Sequence, residues 1–181
     1  PDNFPISFFH HTQMERSLSH LHYHQYFEIG ICLNGGGMFC VGNQMMSFRE
    51  GDISFIYPNL PHIAQSPNEL PSQWVFIHAD LGRFLSSSLV GDLWDHIYCL
   101  PSVISSQQNT CFSELLHIIV DELDCHEKRY QITVEYLLGA FISKLLRLCT
   151  DERTPPQSSD AFVAISPAMI YISQNYAEDI I

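Results

Sequence analysis

From residue 21 to about 80, apolar and polar positions alternate in short runs broken by turn residues. The runs are 22–33, 38–41, 45–48, 53–57, 62–65 and 73–80. Between them stand Asn34-Gly35-Gly36-Gly37, Gly42-Asn43, Glu50-Gly51-Asp52 and the proline-rich stretch 58–61. A period of two belongs to a strand with one buried face, and Gly42-Asn43 supplies the positive φ angles that a tight hairpin needs. Strands this short at such regular spacing predict an antiparallel sandwich or barrel. Residues 1–20 alternate only loosely, at Phe4, Ile6, Phe8 and Phe9, and predict an arm with one short strand.

After residue 110 the period changes. Phe112, Leu115, Leu116, Ile119, Val120 and Leu123 recur at three and four, the mark of an amphipathic helix, and a second helix is predicted at about 131–149. The polar stretch 125–130 between them makes the pair a helical hairpin. Beyond residue 150 the chain turns polar and proline-broken, which predicts a linker. Ser166-Pro167 then opens a further helix, with Met169, Ile172 and Tyr176 at helical spacing. The expected order is a β-barrel over 1–110, a helical hairpin over 111–150, a linker over 151–164 and a single helix over 165–181.

A composition of 46% hydrophobic and 12% aromatic residues excludes disorder of the whole chain. The formal charge of -12, with no basic stripe, excludes a nucleic-acid grip by this chain alone. Six cysteines without a CxxC pair point to a reduced, cytoplasmic setting, and the absence of an apolar run near the ~20 residues of a membrane span points to a soluble protein. No GxSxG, P-loop or GxGxxG pattern is present, so nucleophilic and nucleotide chemistry are unsupported; Gly35-Gly36-Gly37 is expected at a hairpin tip or bulge.

The candidate chemistry lies in His22-Tyr23-His24-Gln25-Tyr26-Phe27-Glu28. In one extended strand His22, His24 and Glu28 would share a face, with the small Gly30 and Cys32 beside them leaving room for a cavity, and Phe27, Ile29 and Ile31 would line the other face. His62 follows a turn that returns the chain toward this strand, and His78 shares its parity with Trp74. Three imidazoles and a carboxylate are an open, mixed donor set for zinc, nickel or iron, with His22, His24, Glu28 and His62 as the ligands. The competing reading makes them polar residues at a cavity mouth. Leu115, Ile119, Leu137, Phe141 and Leu145 are candidates for packing between two copies of the chain, or beneath each copy against its own barrel.

The pattern His22-x-His24-x-x-x-Glu28, with Gly35 seven residues on and His62 eleven after Gly51, resembles the two-part cupin signature, though 58–60 lacks its glycine. Three further stretches extend the likeness: Gly51-Asp52-Ile53 leading to Tyr57-Pro58 and Pro61-His62, then Trp74-Val75-Phe76-Ile77-His78, and the run from Ile165 to Tyr176. With them the chain, over about 20–181, resembles transcriptional regulators of the AraC type. The resemblance implies a cupin-like jelly-roll barrel that binds a small effector, a hairpin that makes a homodimer, and no enzymatic activity. DNA would be bound only through a C-terminal helix-turn-helix domain, of which 165–181 is the first helix. The expected effector is a small neutral or cationic polar molecule, with His22, His24, Glu28, Tyr57, His62, Trp74 and His78 as its lining. Partial or no metal is expected, because the sequence names no group to orient His22 or His24. The alternative is a metal-dependent cupin enzyme, a dioxygenase or an isomerase.

Overall fold

The computed structural model describes residues 4–15, 20–42 and 44–149 of the chain; the expected linker and the helix over 165–181 lie outside them. Among the described residues, eight strands form two antiparallel sheets. The larger has the order β1-β7-β2-β5-β8, from β1 (Ile6–Gln13), β7 (Ser72–Ala79), β2 (Phe27–Asn34), β5 (Ile53–Ile56) and β8 (Val103–Ile104). The smaller has the order β4-β3-β6, from β4 (Gln44–Arg49), β3 (Gly36–Val41) and β6 (His62–Gln65). Three helices follow the main run of strands: α1 (Ser87–His96), α2 (Thr110–Cys125) and α3 (Tyr130–Leu146).

Alternation divides the larger sheet into two faces with different coverings. Phe27, Ile29, Ile31, Phe55, Val75 and Ile77 enter one apolar cluster with Phe112, Leu116, Ile119, Leu138, Phe141 and Leu145 of the helices. Cys32, Ile56, Trp74 and Phe76 point the other way and meet Phe39, Val41, Phe48 and Ala64 of the smaller sheet. The jelly-roll barrel is therefore filled from within by aromatic rings and closed outside by helices.

Several local expectations change. β1 is no short strand in a loose arm: it pairs with β7 along all eight of its residues, from Ile6 opposite Ala79 to Gln13 opposite Ser72. The region after residue 80, for which no element was expected, holds α1, whose N-terminus is capped by the Ser86 hydroxyl accepting from the Leu89 N–H. Gly36 and Gly37 open β3, and Gly35, at a positive φ of 84°, joins it to β2, instead of the three forming a hairpin tip. A side chain on Gly37 would collide with the Gln65 carbonyl of β6, so close backbone approach requires glycine there. The residues offered for packing between two copies, or beneath each copy on its own barrel, take the second place. Ile119, Phe141 and Leu145 are fully buried within the chain's own core, because the helices must cover the sheet before they can cover a neighbour, and Leu115 and Leu137 pack against its edge.

Candidate functional site

The strand expected over 22–33 begins only at Phe27. His22 instead makes an isolated bridge to His62, each backbone N–H donating to the other's carbonyl at 3.2 and 2.9 Å. The Asn59 N–H donates to the His24 carbonyl at 2.8 Å, and Asn59 itself takes a positive φ of 63°. The proline-rich turn thus clamps the segment before β2 and brings His22 and His24 to His62. On β2, Glu28 stands opposite His78 of β7, which adds a fourth imidazole.

At the centre is the Glu28 carboxylate, 3% exposed. Its Oε2 lies 2.9 Å from His78 Nε2 and 3.2 Å from His24 Nε2, and its Oε1 lies 3.5 Å from His62 Nε2. That last contact is too long for a good charge-assisted hydrogen bond, and both atoms, fully buried, are left without a hydrogen-bond partner. Burial opposes the charged carboxylate, but the hydrogen bonds from His24 and His78, with the nearby His62 ring, outweigh it and hold the Glu28 pKa well below 4.5. Burial likewise opposes charge on His24, yet the hydrogen bond and charge of Glu28 raise its pKa above 6.5. His22, on the solvent side, is lowered by partial burial and then by the neighbouring His62.

The orienting partners that the sequence did not name are backbone carbonyls. His22 Nδ1 lies 3.1 Å from the His20 carbonyl, His24 Nδ1 2.9 Å from the Tyr26 carbonyl, and His62 Nδ1 2.8 Å from the Leu60 carbonyl. A carbonyl only accepts, so each Nδ1 carries a proton, which leaves Nε2 of each ring as the atom available to its neighbours: a donor where the ring is protonated, an acceptor where it is neutral. In their neutral form, imidazoles oriented by backbone carbonyls around a buried carboxylate are a donor set that fits a divalent transition metal. Among the described residues, two groups have ligand atoms close enough to hold an ion: His22 with Glu28 and His62, and His24 with Glu28 and His78.

Of the residues expected to line a ligand, His22, His24, Glu28, His62 and His78 converge; Tyr57 and Trp74 do not. Tyr57 follows the parity of Phe55 and packs on the helical side against Tyr98. Trp74 is 1% exposed, among Phe39, Phe48 and Phe76, with its indole N–H donating to Ser72 Oγ. The volume expected beside Gly30 is taken by Phe76 and Ser54, whose buried Oγ has no partner. Cys32 is an inert filler, its thiol raised by burial to about 12. An open cleft of about 480 Å³ lies elsewhere, lined by Glu50, Ser106, Thr110, Glu114 and His117 among others.

Two aromatic residues unmarked in the sequence flank the imidazoles. Tyr26, 52% exposed, stacks on His78 at 6.3 Å, and Phe9, 41% exposed, meets the same ring edge-on at 5.3 Å. Phe9 became readable only once β1 was known to pair with β7; Tyr26 sat within the histidine segment without a ligand's chemistry to draw notice.

The profile of the AraC-like ligand binding domain family matches residues 5–141. No curated protein matches. Among solved structures, a Cupin 2 conserved barrel domain protein from Salinispora arenicola is 22% identical, with 44% of this chain and 66% of that one covered and a TM-score of 0.39. An RmlC-like cupin from Methanocaldococcus jannaschii is 16% identical, covering 44% and 73%, at 0.38. Oxalate decarboxylase of Bacillus subtilis is 17% identical at 0.38, and the aligned 43% of this chain spans only 22% of that enzyme.

Proposed function

We propose, because this chain belongs to the family of AraC-like ligand-binding domains, that it senses a small polar effector at the Glu28 cluster and passes the signal to a DNA-binding domain. The observation that carries this reading is the buried, ionised Glu28 carboxylate ringed by imidazoles and flanked by the exposed rings of Tyr26 and Phe9. A carboxylate offers acceptors to hydroxyl or ammonium groups, and the rings supply flat apolar faces, a combination suited to a neutral or cationic molecule. Effector binding would shift the balance between arrangements of the attached domains. A second copy would dock on the exposed Ile118 of α2 and Ile132 and Tyr136 of α3, which replace the buried residues first expected there.

The test is a thermal-melt screen of sugars and small amines. A true effector should raise the melting temperature of the wild-type chain and lose most of that shift in Phe9→Ala and His24→Ala. A shift equal in all three proteins places the compound elsewhere and removes the reading. A metal-dependent cupin enzyme, a dioxygenase or isomerase, is the second reading, favoured by the two three-ligand groups around Glu28. Zinc, nickel or iron there, held by His22, His24, Glu28, His62 and His78, would act as a Lewis acid. Turnover by the metal-loaded chain would favour it.

A further inference from the structure

We propose that the aromatic surface formed by Trp94 and Tyr98, on α1 and just beyond it, docks the segment 165–181 of this same chain. The surface lies on the helical side of the larger sheet, and the proposal holds whatever binds at Glu28 on the other side.

Trp94 and Tyr98 stand on successive turns of α1 and of the 3-10 turn Ile97–Cys99 that continues it, so both rings leave the same side of the helix. Leu93 and Ile97 of the same stretch are buried and already serve the chain's own core; Trp94 and Tyr98 remain exposed. Each ring is nevertheless seated. Trp94 meets Phe27 of β2 with ring centroids 5.4 Å apart, and Tyr98 meets Tyr57 edge-on at 5.7 Å. One turn earlier Gly91 leaves the approach open, since a side chain there would meet nothing within 4 Å. Large rings that are held in place yet reach into water have the make-up of a contact surface, where Trp and Tyr carry most of the binding.

Position, charge and side-chain chemistry name the occupant. Cys149, the last described residue, lies beside this surface: its Sγ is 3.8 Å from the carbonyl of His96, which stands midway between Trp94 and Tyr98 in the chain. Residues 150–164 can span roughly 50 Å when extended, so the tether reaches the rings and holds the segment at an effective concentration on the order of millimolar. A second copy has no such advantage. Charge works in the same direction, because exposed Asp92 and Asp95 beside the rings repel another chain of formal charge -12, whereas residues 161–176 carry no charged side chain. In the helix expected over 165–181, Met169, Ile172 and Tyr176 form an apolar stripe that must be covered. A thioether and a branched aliphatic chain pack well on aromatic rings.

The test uses the 181-residue chain. It has two tryptophans, and Trp74 is buried inside the barrel, so the emission that acrylamide quenches comes from Trp94. Met169→Ser combined with Ile172→Ser should raise that quenching and shift the emission to the red, while Gln174→Ala, on the opposite side of the expected helix, changes neither. In the reverse direction, Trp94→Ser combined with Tyr98→Ser should speed chymotryptic cleavage after Tyr171 and Tyr176, followed by mass spectrometry, by about tenfold or more, the factor for withdrawing large apolar side chains from a contact. Far-UV circular dichroism checks that both double variants keep the fold. Neither effect should change on dilution, because the dock and its occupant belong to one chain. Unchanged quenching in the Met169 and Ile172 variant, unchanged cleavage in the Trp94 and Tyr98 variant, or protection that fades on dilution, the sign of a second copy in the dock, would each overturn the proposal. No measurement here involves an effector, so failure of the dock leaves the sensing role standing, and the two failures are told apart.

Discussion

Glu28 concentrates the electrostatics of the molecule in one residue. Its folded pKa lies below 4.5, so its ionised form stabilises the fold above that pH, and the contribution is lost as pH falls through the lowered value. His24 has a folded pKa above 6.5, so its charged form contributes fully below 6.5 and is lost as pH rises through the raised value. The two windows overlap between 4.5 and 6.5. His22 has the opposite sign: its folded pKa lies below 6.5, so it costs stability as pH falls past that value, and the Glu28 charge, which raises it, softens that cost in wild type. In chelator, the melting-temperature advantage of wild type over Glu28→Gln should peak near about pH 5.5 and shrink on both sides. Melts across the range check this, and an advantage flat with pH would contradict it. The positions of His22, His24 and Glu28 along the chain announced their chemistry, whereas the carbonyls that orient the rings were invisible, because main-chain acceptors have no residue signature.

At the scale of elements, the helical hairpin separates two roles that its sequence had merged. Phe141 of α3 is fully buried and meets Phe112 of α2 edge-on at 5.3 Å, while Tyr136, five residues earlier and so on another face of the same helix, is 78% exposed. Phe141→Ala should cost about 3–5 kcal/mol through the cavity it opens, a fall of roughly 10 °C in melting temperature. Tyr136→Ser should leave the melt nearly unchanged and, with Ile118→Ser, shift a dimer toward monomer in sedimentation at tens of micromolar. Equal thermal losses in Phe141→Ala and Tyr136→Ser would refute this division. Helical spacing revealed that an apolar stripe existed. It could not say how much of the stripe the chain's own sheet would claim, since that depends on how closely α2 and α3 lie upon it.

For the molecule as a whole, a charge of -12 opposes any approach to phosphates. The 181-residue chain should therefore show no operator-specific retardation of DNA at low salt, and a specific nanomolar complex would refute that expectation. No helix among the described residues is long and apolar enough to cross a membrane. The antiparallel strands, the two long helices and the histidine-glutamate set followed from the sequence alone, because alternation, helical periodicity and residue chemistry are local and each is written in neighbouring positions. Tertiary structure alone decided three things: that β1 completes the sheet beside β7, that Trp74 fills the barrel instead of lining a ligand, and that His78, expected among the lining residues, stands opposite Glu28 and hydrogen-bonds it directly. Each depends on which strand lies beside which and in what register, and a one-residue shift there would turn every one of these side chains to the opposite face.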